Sequence, residues 1–468
     1  MADSYDVIIL GSGSTAFAAA LRADALGARV LMIERGELGG TCINWGCIPS
    51  KTLIHSALFR HEAAQGAEIG TGTGVGPVDY HRLFEHREEV VRHLRQTKYQ
   101  DVLQRIGGLT LVKGTGRFCA QRTIEVGGQQ FCSDRILVAT GGTPRIIGFP
   151  GLGEVPFLTS MSALLSRELP RSLIIIGGGV IAMELGQMYH RLGSRVTILE
   201  HGPRILPMIE PELSLSLQQA LAGEGLKIVT DVSICSFAKA GDLSCVSAEK
   251  GGRRHEYTGE KILMAVGTAP VTGDIGLDLA GVEVDAKGFI RVDEHMRTTA
   301  DGVWAAGDVT GGMMIASVGA REGIVAVNDM FNPGCDCRMD YLSVPMAIFT
   351  DPELGIVGLG EDAARKAGFN VAVNILPASA IPKAHVTGHS AGMIKMVADR
   401  ENGRILGVHI LCHRGAELIN EAALAVKCRL TVVELADALH VYPSMSEGLR
   451  LCAQGFSRDI QRLSCCAE

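Results

Sequence analysis

Two stretches of the chain repeat one pattern of apolar and polar positions. In the first, the run YDVIIL at 5–10 is short, apolar and unbroken, which reads as a strand buried on both faces. The turn GSGSTA at 11–16 follows, then an apolar helix over 17–27 and a second strand over 29–33 that ends on Glu34. The pattern returns at Ser172, with a strand at 173–176, the turn GGGVIA at 177–182, a helix over 183–192 and a strand over 195–199 ending on Glu200. Each copy predicts a strand–helix–strand unit. Between them, 66–77 is rich in glycine and threonine. It neither follows a strand nor opens onto a helix with Lys-Ser/Thr, so it reads as a flexible surface loop rather than a phosphate loop. The stretch 79–106 is charged with apolar positions at helical spacing and predicts a long solvent-facing helix. Strands are expected at 109–118 and 123–126, and the segment 136–142 returns the chain to the first unit. From Tyr341 onward, short strands at 347–350, 393–398 and 406–411 alternate with amphipathic helices, an α+β pattern without a nucleotide turn.

Composition narrows the partners. With 468 residues the chain exceeds one ordinary core, so two to four domains are expected. Glycine accounts for 58 residues, well above the usual roughly 7%, and much of the excess sits in strand-to-helix turns. The net charge of −7, with no basic block, argues against nucleic acid as a partner. No apolar run approaches the roughly 20 residues needed to span a membrane. The first residues carry no signal-peptide pattern, and thirteen irregularly spaced cysteines fit a reducing cytoplasm better than a secreted scaffold.

The chemistry lies in the turns. In G-x-G-x-x-A, Gly11 and Gly13 let backbone approach a pyrophosphate at a helix N-terminus, and Glu34 can hold ribose hydroxyls. Gly177, Gly179 and Glu200 repeat the arrangement, so two dinucleotides are implied. Directly after the first unit comes GGTCINWGCIPSK at 39–51. It starts loop-like and reads helical after Pro49, with Cys42 and Cys47 five positions apart and Lys51 one turn beyond. Two sulfurs near the first turn of a helix, beside a cation, favour thiolate and can carry two electrons as a disulfide–dithiol pair. Asp308, at the end of AAGD, suits hydroxyls of a ribityl chain. Most other cysteines read as packing residues, and Cys335 and Cys337 lack further ligands nearby in sequence.

The order of these motifs resembles the FAD-dependent pyridine nucleotide–disulfide oxidoreductases over essentially the whole chain. It runs from a dinucleotide fold through C-x4-C-x-P-S-K, ATGG at 139–142, a second dinucleotide fold and AAGD to an interface domain. That resemblance implies an α/β protein with two Rossmann-like domains and a C-terminal α+β dimerisation domain. The boundaries expected are 1–150 and 271–340 for FAD, 151–270 for NAD(P)H and 341–468 for the interface. It implies FAD held by Gly11, Gly13, Thr15, Ala16, Glu34, Arg35, Gly40, Thr41, Cys42, Lys51, Gly116, Ala139, Thr140, Gly141, Gly307, Asp308 and Ala316. It places the nicotinamide nucleotide on Gly177, Gly179, Val180, Ile181, Glu200 and Gly267. Lys51 is expected to pair with Glu184 near the flavin, Cys47 to lie nearest the flavin and Cys42 to face outward.

Two departures decide the branch. Disulfide reductases of this family carry His-x-His-Pro-x-x-x-Glu, whereas here HVYPSMSE at 440–447 puts Tyr442 at the base position. A phenol, with a pKa of roughly 10, is a poor proton acceptor at neutral pH, and a structural role is expected for His440. The chain also ends LSCCAE, with adjacent Cys465 and Cys466, soft ligands suited to a thiophilic ion. Tyr-Pro together with this tail resembles the mercuric reductase branch in a form without the N-terminal metal-binding module. The branch implies a cytoplasmic homodimer. Hg(II), presented as thiol complexes, would pass from Cys465 and Cys466 of one subunit to Cys42 and Cys47 of the other, near Tyr442, and be reduced there. A dihydrolipoamide dehydrogenase with a degenerate base is the alternative enzyme, and a metal-sequestering flavoprotein without turnover is the alternative of another class. An acid at 200 favours a free ribose 2′-hydroxyl, while Arg204 and a protonated His201 leave phosphate binding open.

Overall fold

The computed structural model describes residues 5–459, folded around three five-stranded sheets. The first sheet is parallel throughout, in the order Val303–Ala305, Ile136–Val138, Val7–Leu10, Val30–Glu34, Leu109–Lys113. Its central strands are buried along their length because the helices Ser14–Asp24 and Ala316–Phe331 cover one face and the three-stranded meander of Phe118, Ile124 and Phe131 covers the other. The helix Ser14–Asp24 packs on Ala316–Phe331, where Gly319 and Gly323 let the backbones close on Thr15 and Ala19. That contact returns a stretch some 300 residues away to the first sheet.

The second sheet is also parallel, in the order Lys227–Val229, Arg195–Leu199, Ser172–Ile176, Lys261–Met264, Phe157–Thr159. The third is antiparallel, in the order Met346–Ile348, Glu353–Gly358, Ile405–Cys412, Met393–Asp399, Val371–Pro377. Two of its strands, Glu353–Gly358 and Val371–Pro377, have no counterpart among the strands expected there. Lys395 on this sheet is 1% exposed and pairs with Glu210, Glu212 and Glu361, which locks the sheet to the helix Pro211–Gly223 of the second unit.

The structure corrects three expectations. The strand expected over 109–118 is two strands in different sheets. Gly114, at φ 152°, breaks the run, and Arg117–Ala120 then starts an antiparallel meander with Thr123–Val126 and Gln129–Cys132. The charged helix runs Tyr80–Arg95, capped by the Asp79 side chain, and continues as a π turn over Gln96–Gln100. It is not wholly solvent-facing, since Tyr80, Phe84, Arg87 and Val91 are buried. The cysteine segment is helical earlier than Pro49: Gly40–Asn44 is a short helix and the next helix begins at Cys47. Pro49 sits in that helix's first turn, where a missing N–H costs nothing. Residues 71–79 have no regular structure and lie on the surface, with Thr71 and Thr73 hydroxyls bonded to the carbonyls of Gly66 and Ala63. No helix among the described residues is long and apolar enough to cross a membrane.

Candidate active site

Cys42 rides on the short helix Gly40–Asn44, and Cys47 opens the helix Cys47–Gly66. Their thiols are hydrogen-bonded to each other. The Cys42 hydrogen bond draws the Cys47 pKa down to about 7, with help from the Lys51 charge, against the cost of burial. Cys42, as donor, is pushed up by the same bond and by burial. The pair therefore keeps a tightly held proton on Cys42 and makes Cys47 the more acidic thiol.

Lys51 lies one turn past Cys47. Its Nζ stands 2.7 Å from Glu184 Oε2 and 4.8 Å from the centre of the Phe349 ring. Glu184 is on the helix Val180–Arg191, and its other oxygen accepts the Phe349 backbone N–H at 3.0 Å. One ion pair thus joins the cysteine helix, the second dinucleotide unit and the third sheet.

These groups line one cleft. The structure brings Gly13, Thr15, Thr41, Cys42, Cys47, Lys51, Ala139, Gly141, Val180, Ile181, Glu184, Gly267, Asp308 and Ala316 to its wall. A second, smaller cleft gathers Gly11, Glu34, Arg35, Gly116 and Thr140. Ala16 lines neither. It is fully buried under the helix, where its small side chain serves packing. Gly40 also packs rather than lines, since a Cβ there would come within 2.6 Å of the Gly13 Cα.

Gly177, Gly179 and Glu200 line neither cleft, but the two strand-to-helix turns have the room that dinucleotide phosphates need. Gly11, at φ 112°, has no room for a side chain because a Cβ would run into the Ala139 carbonyl, and Gly177, at φ 106°, stands in the same relation to Ala265. The helices that follow have no side-chain cap and no acid in the first turn, so the N–H groups at both N-termini stay open for phosphate. Glu34 accepts the Ser12 hydroxyl at 2.6 Å and the Gly36 N–H at 2.5 Å, which fixes its carboxylate at the end of the strand. Glu200 accepts the Gly178 and Gly202 N–H groups in the same way. Burial, and then the charge of Glu322, raise the Asp308 pKa.

Several expectations change here. Arg204 is not free for a phosphate: its guanidinium donates to the carbonyls of Leu206, Pro207 and Ile209. Tyr442 lies 47% exposed, outside the cleft of its own chain. His440 Nε2 is 2.7 Å from Glu421 Oε1 and Nδ1 is 3.0 Å from the Ala438 carbonyl, so both ring nitrogens are engaged. Cys465 and Cys466 lie outside the described residues. Cys335 and Cys337 are bonded to each other.

Sequence reading missed Phe349 and Glu322. Glu322 accepts the Gly307 N–H at 2.7 Å and the Tyr341 hydroxyl at 2.7 Å beside Asp308. Neither sits in a motif, and only its position on the helix that follows AAGD could have pointed to Glu322.

Two glycine-bearing helix N-termini on separate parallel sheets, facing one cleft with a thiol pair, define a two-dinucleotide oxidoreductase that works through a dithiol. The chain belongs to the pyridine nucleotide–disulphide oxidoreductase family, which it matches over residues 5–323, with that family's dimerisation domain over 344–453. FAD and NAD(P)H are its cofactors. It is 38% identical over 463 residues to a mercuric reductase of Bacillus cereus, covering 99% of this chain and 73% of that one. It is 39% identical over 459 residues to a dihydrolipoyl dehydrogenase of Thermus scotoductus, covering 97% and 98%. Among solved structures it resembles the Cu(II) complex of the HOCl-induced flavoprotein disulfide reductase RclA from Escherichia coli. There the TM-score is 0.86 and the identity 29%, over 97% of this chain and 99% of that one.

Proposed function

We propose that this chain is a mercuric reductase: NAD(P)H + Hg(II) → NAD(P)+ + Hg(0) + H+, with the ion held by Cys42 and Cys47. The observation that carries this reading is the absence of a base for dithiol exchange in the YP segment. Tyr442 occupies the position that histidine takes in the disulfide reductases, and His440 is tied at both nitrogens. The hydrogen bond to the Glu421 carboxylate also raises the His440 pKa. Two-electron reduction of a metal ion bound as a dithiolate needs no such base. The likeness to mercuric reductases supports the same reading.

When bound, the nicotinamide and flavin supply hydride and electron transfer to the cysteine pair. The chain's own residues set that chemistry up. Gly11, Gly13 and Thr15 would hold the FAD pyrophosphate, Glu34 its ribose, and Asp308 its ribityl hydroxyls. Gly177, Gly179 and Glu200 would hold the nicotinamide nucleotide. The Cys42 hydrogen bond and Lys51, positioned by Glu184, lower the Cys47 pKa. Cys42 and Cys47 then offer two sulfurs to the ion, and Cys42 gives up its proton as the metal binds. The partner subunit's Cys465 and Cys466 would deliver the ion by thiolate exchange, so that it is never free, with the partner's Tyr442 near it. The apolar side chains of Val433, Leu439 and Val441, 70%, 89% and 78% exposed, are surface that a second copy would cover in such a homodimer. A reducing cytoplasm would keep the four thiols available.

A dihydrolipoyl dehydrogenase is the second reading, favoured by the 39% identity over 459 residues in that comparison. Steady-state rates with Hg(II) presented as a dithiol complex and with lipoamide separate the two. Turnover with Hg(II) and at most trace turnover with lipoamide supports mercuric reduction. The reverse result overturns it.

A further inference from the structure

Away from the thiol cleft, the end of the strand Ile405–Cys412 meets the turn before Glu353–Gly358. There one ligand atom each from Asp351, His389 and His413 lie within 4.8 Å of one another. The two imidazoles stack at 4.2 Å between centroids. His389 Nδ1 is 2.8 Å from the Thr387 carbonyl, so that nitrogen carries the proton and Nε2 keeps its lone pair for a ligand. Asp351 is held from behind: its Oδ2 accepts Arg191 at 2.8 Å, its N–H donates to Gln187 at 2.8 Å, and its carbonyl accepts Gln187 Nε2 at 2.8 Å. Among the described residues Oδ1 has no hydrogen-bond partner. His61, on the helix that Cys47 opens, forms an overlapping group with Asp351 and Glu224.

We infer that Asp351, His389 and His413 form a binding site for one divalent ion of the zinc class, separate from the thiols, with His61 or water as the fourth ligand. Two imidazole nitrogens and a carboxylate are the donor set that zinc, cobalt(II) and copper(II) prefer, whereas mercury prefers sulfur. The oriented Nε2 and the buttressed carboxylate supply the outer support that such ligands need. The charge balance allows a cation. Arg191 offsets one of the two carboxylates, Asp351 and Glu224, that it bridges, and leaves the other uncompensated. Occupied with His61 as a ligand, the site would tie the cysteine helix to the third sheet.

The test uses the FAD-loaded, oxidised protein with Cys465→Ala and Cys466→Ala, so that neither the redox pair nor the tail offers free thiols. Cobalt(II) is titrated against visible absorption, and zinc is then added. The expected result is one cobalt(II) per chain with ligand-field bands, no sulfur-to-cobalt charge transfer, and displacement by zinc. Adding His389→Gln and His413→Gln should weaken binding by about tenfold or more, with FAD content unchanged. If that variant loses FAD, His413→Gln alone should show the same direction. No cobalt(II) binding, binding unaffected by the histidine changes, or a sulfur charge-transfer band would each overturn the site.

Discussion

The Nζ of Lys51 lies 2.7 Å from Oε2 of Glu184, although 133 residues separate them in sequence. Glu184 is 5% exposed and Lys51 32%, so the pair is partly shielded from water and holds the cation one turn from Cys47. Through it, the helix of the second dinucleotide unit sets the charge felt by the thiolate of the first.

The first prediction concerns that thiolate. Its pKa is lowered, so the ionised form is lost as pH falls through about 7 and retained above it. In the two-electron-reduced protein, thiolate-to-flavin absorption should rise with pH around that midpoint. Lys51→Met should move the midpoint upward, and Cys42→Ala should move it upward too, because the hydrogen bond that lowers it is gone. Cys47→Ser should abolish the band with FAD still bound. An unshifted midpoint in Lys51→Met would mean that the lysine charge does not act on Cys47.

The second concerns Tyr442. Glu447, five residues on, is 5% exposed, its Oε2 has no partner among the described residues, and burial raises its pKa. Tyr442→His would introduce an imidazole, with a usual pKa of roughly 6.5, at the position where disulfide reductases keep their base. Lipoamide turnover should rise by about tenfold or more, within the usual roughly 10²–10⁴-fold worth of a positioned base. Lipoamide assays of purified variant and parent settle it.

Nicotinamide choice is the third. Glu200 sits at the strand end and Arg204 is committed to three carbonyls, which leaves His201 as the one sequence candidate for a 2′-phosphate. NADH should be used at least as well as NADPH. A preference for NADPH above about a hundredfold, roughly 2.7 kcal/mol, would show that another residue binds the 2′-phosphate.

The fourth is structural. Lys395 is buried among Glu210, Glu212 and Glu361 at 2.5, 3.1 and 3.0 Å. Lys395→Met would leave Glu210 and Glu212 without this partner, while Glu361 keeps Arg365, and should cost roughly 1–3 kcal/mol of stability, read by denaturant unfolding.

How far the sequence could be read follows from where each signal is stored. Both strand–turn–helix units were legible, because Gly11 and Gly177 need backbone room that no other residue has, and the runs beside them are buried on both faces. The Lys51–Glu184 pairing came from resemblance, and the contact is formed. Arg204 misled because a guanidinium near a ribose site and one capping carbonyls look the same in sequence. Phe349 and the Asp351–His389–His413 group were invisible, and Glu322 was marked only by its place on the helix after AAGD. Each depends on segments that meet only through the packing of separate sheets. The strand over 109–118 was misread because Gly114 was treated as part of a run that its positive φ ends.

Mercury vapour released per nicotinamide oxidised is the most direct measure of the proposed reaction. Anaerobic protein is supplied with NAD(P)H and Hg(II) as a dithiol complex, with vapour trapped and quantified while nicotinamide absorbance is followed. One Hg(0) per NAD(P)H, lost in Cys42→Ser and Cys47→Ser, is the predicted result. Nicotinamide oxidation without mercury vapour, or stoichiometric mercury binding without oxidation, would contradict it.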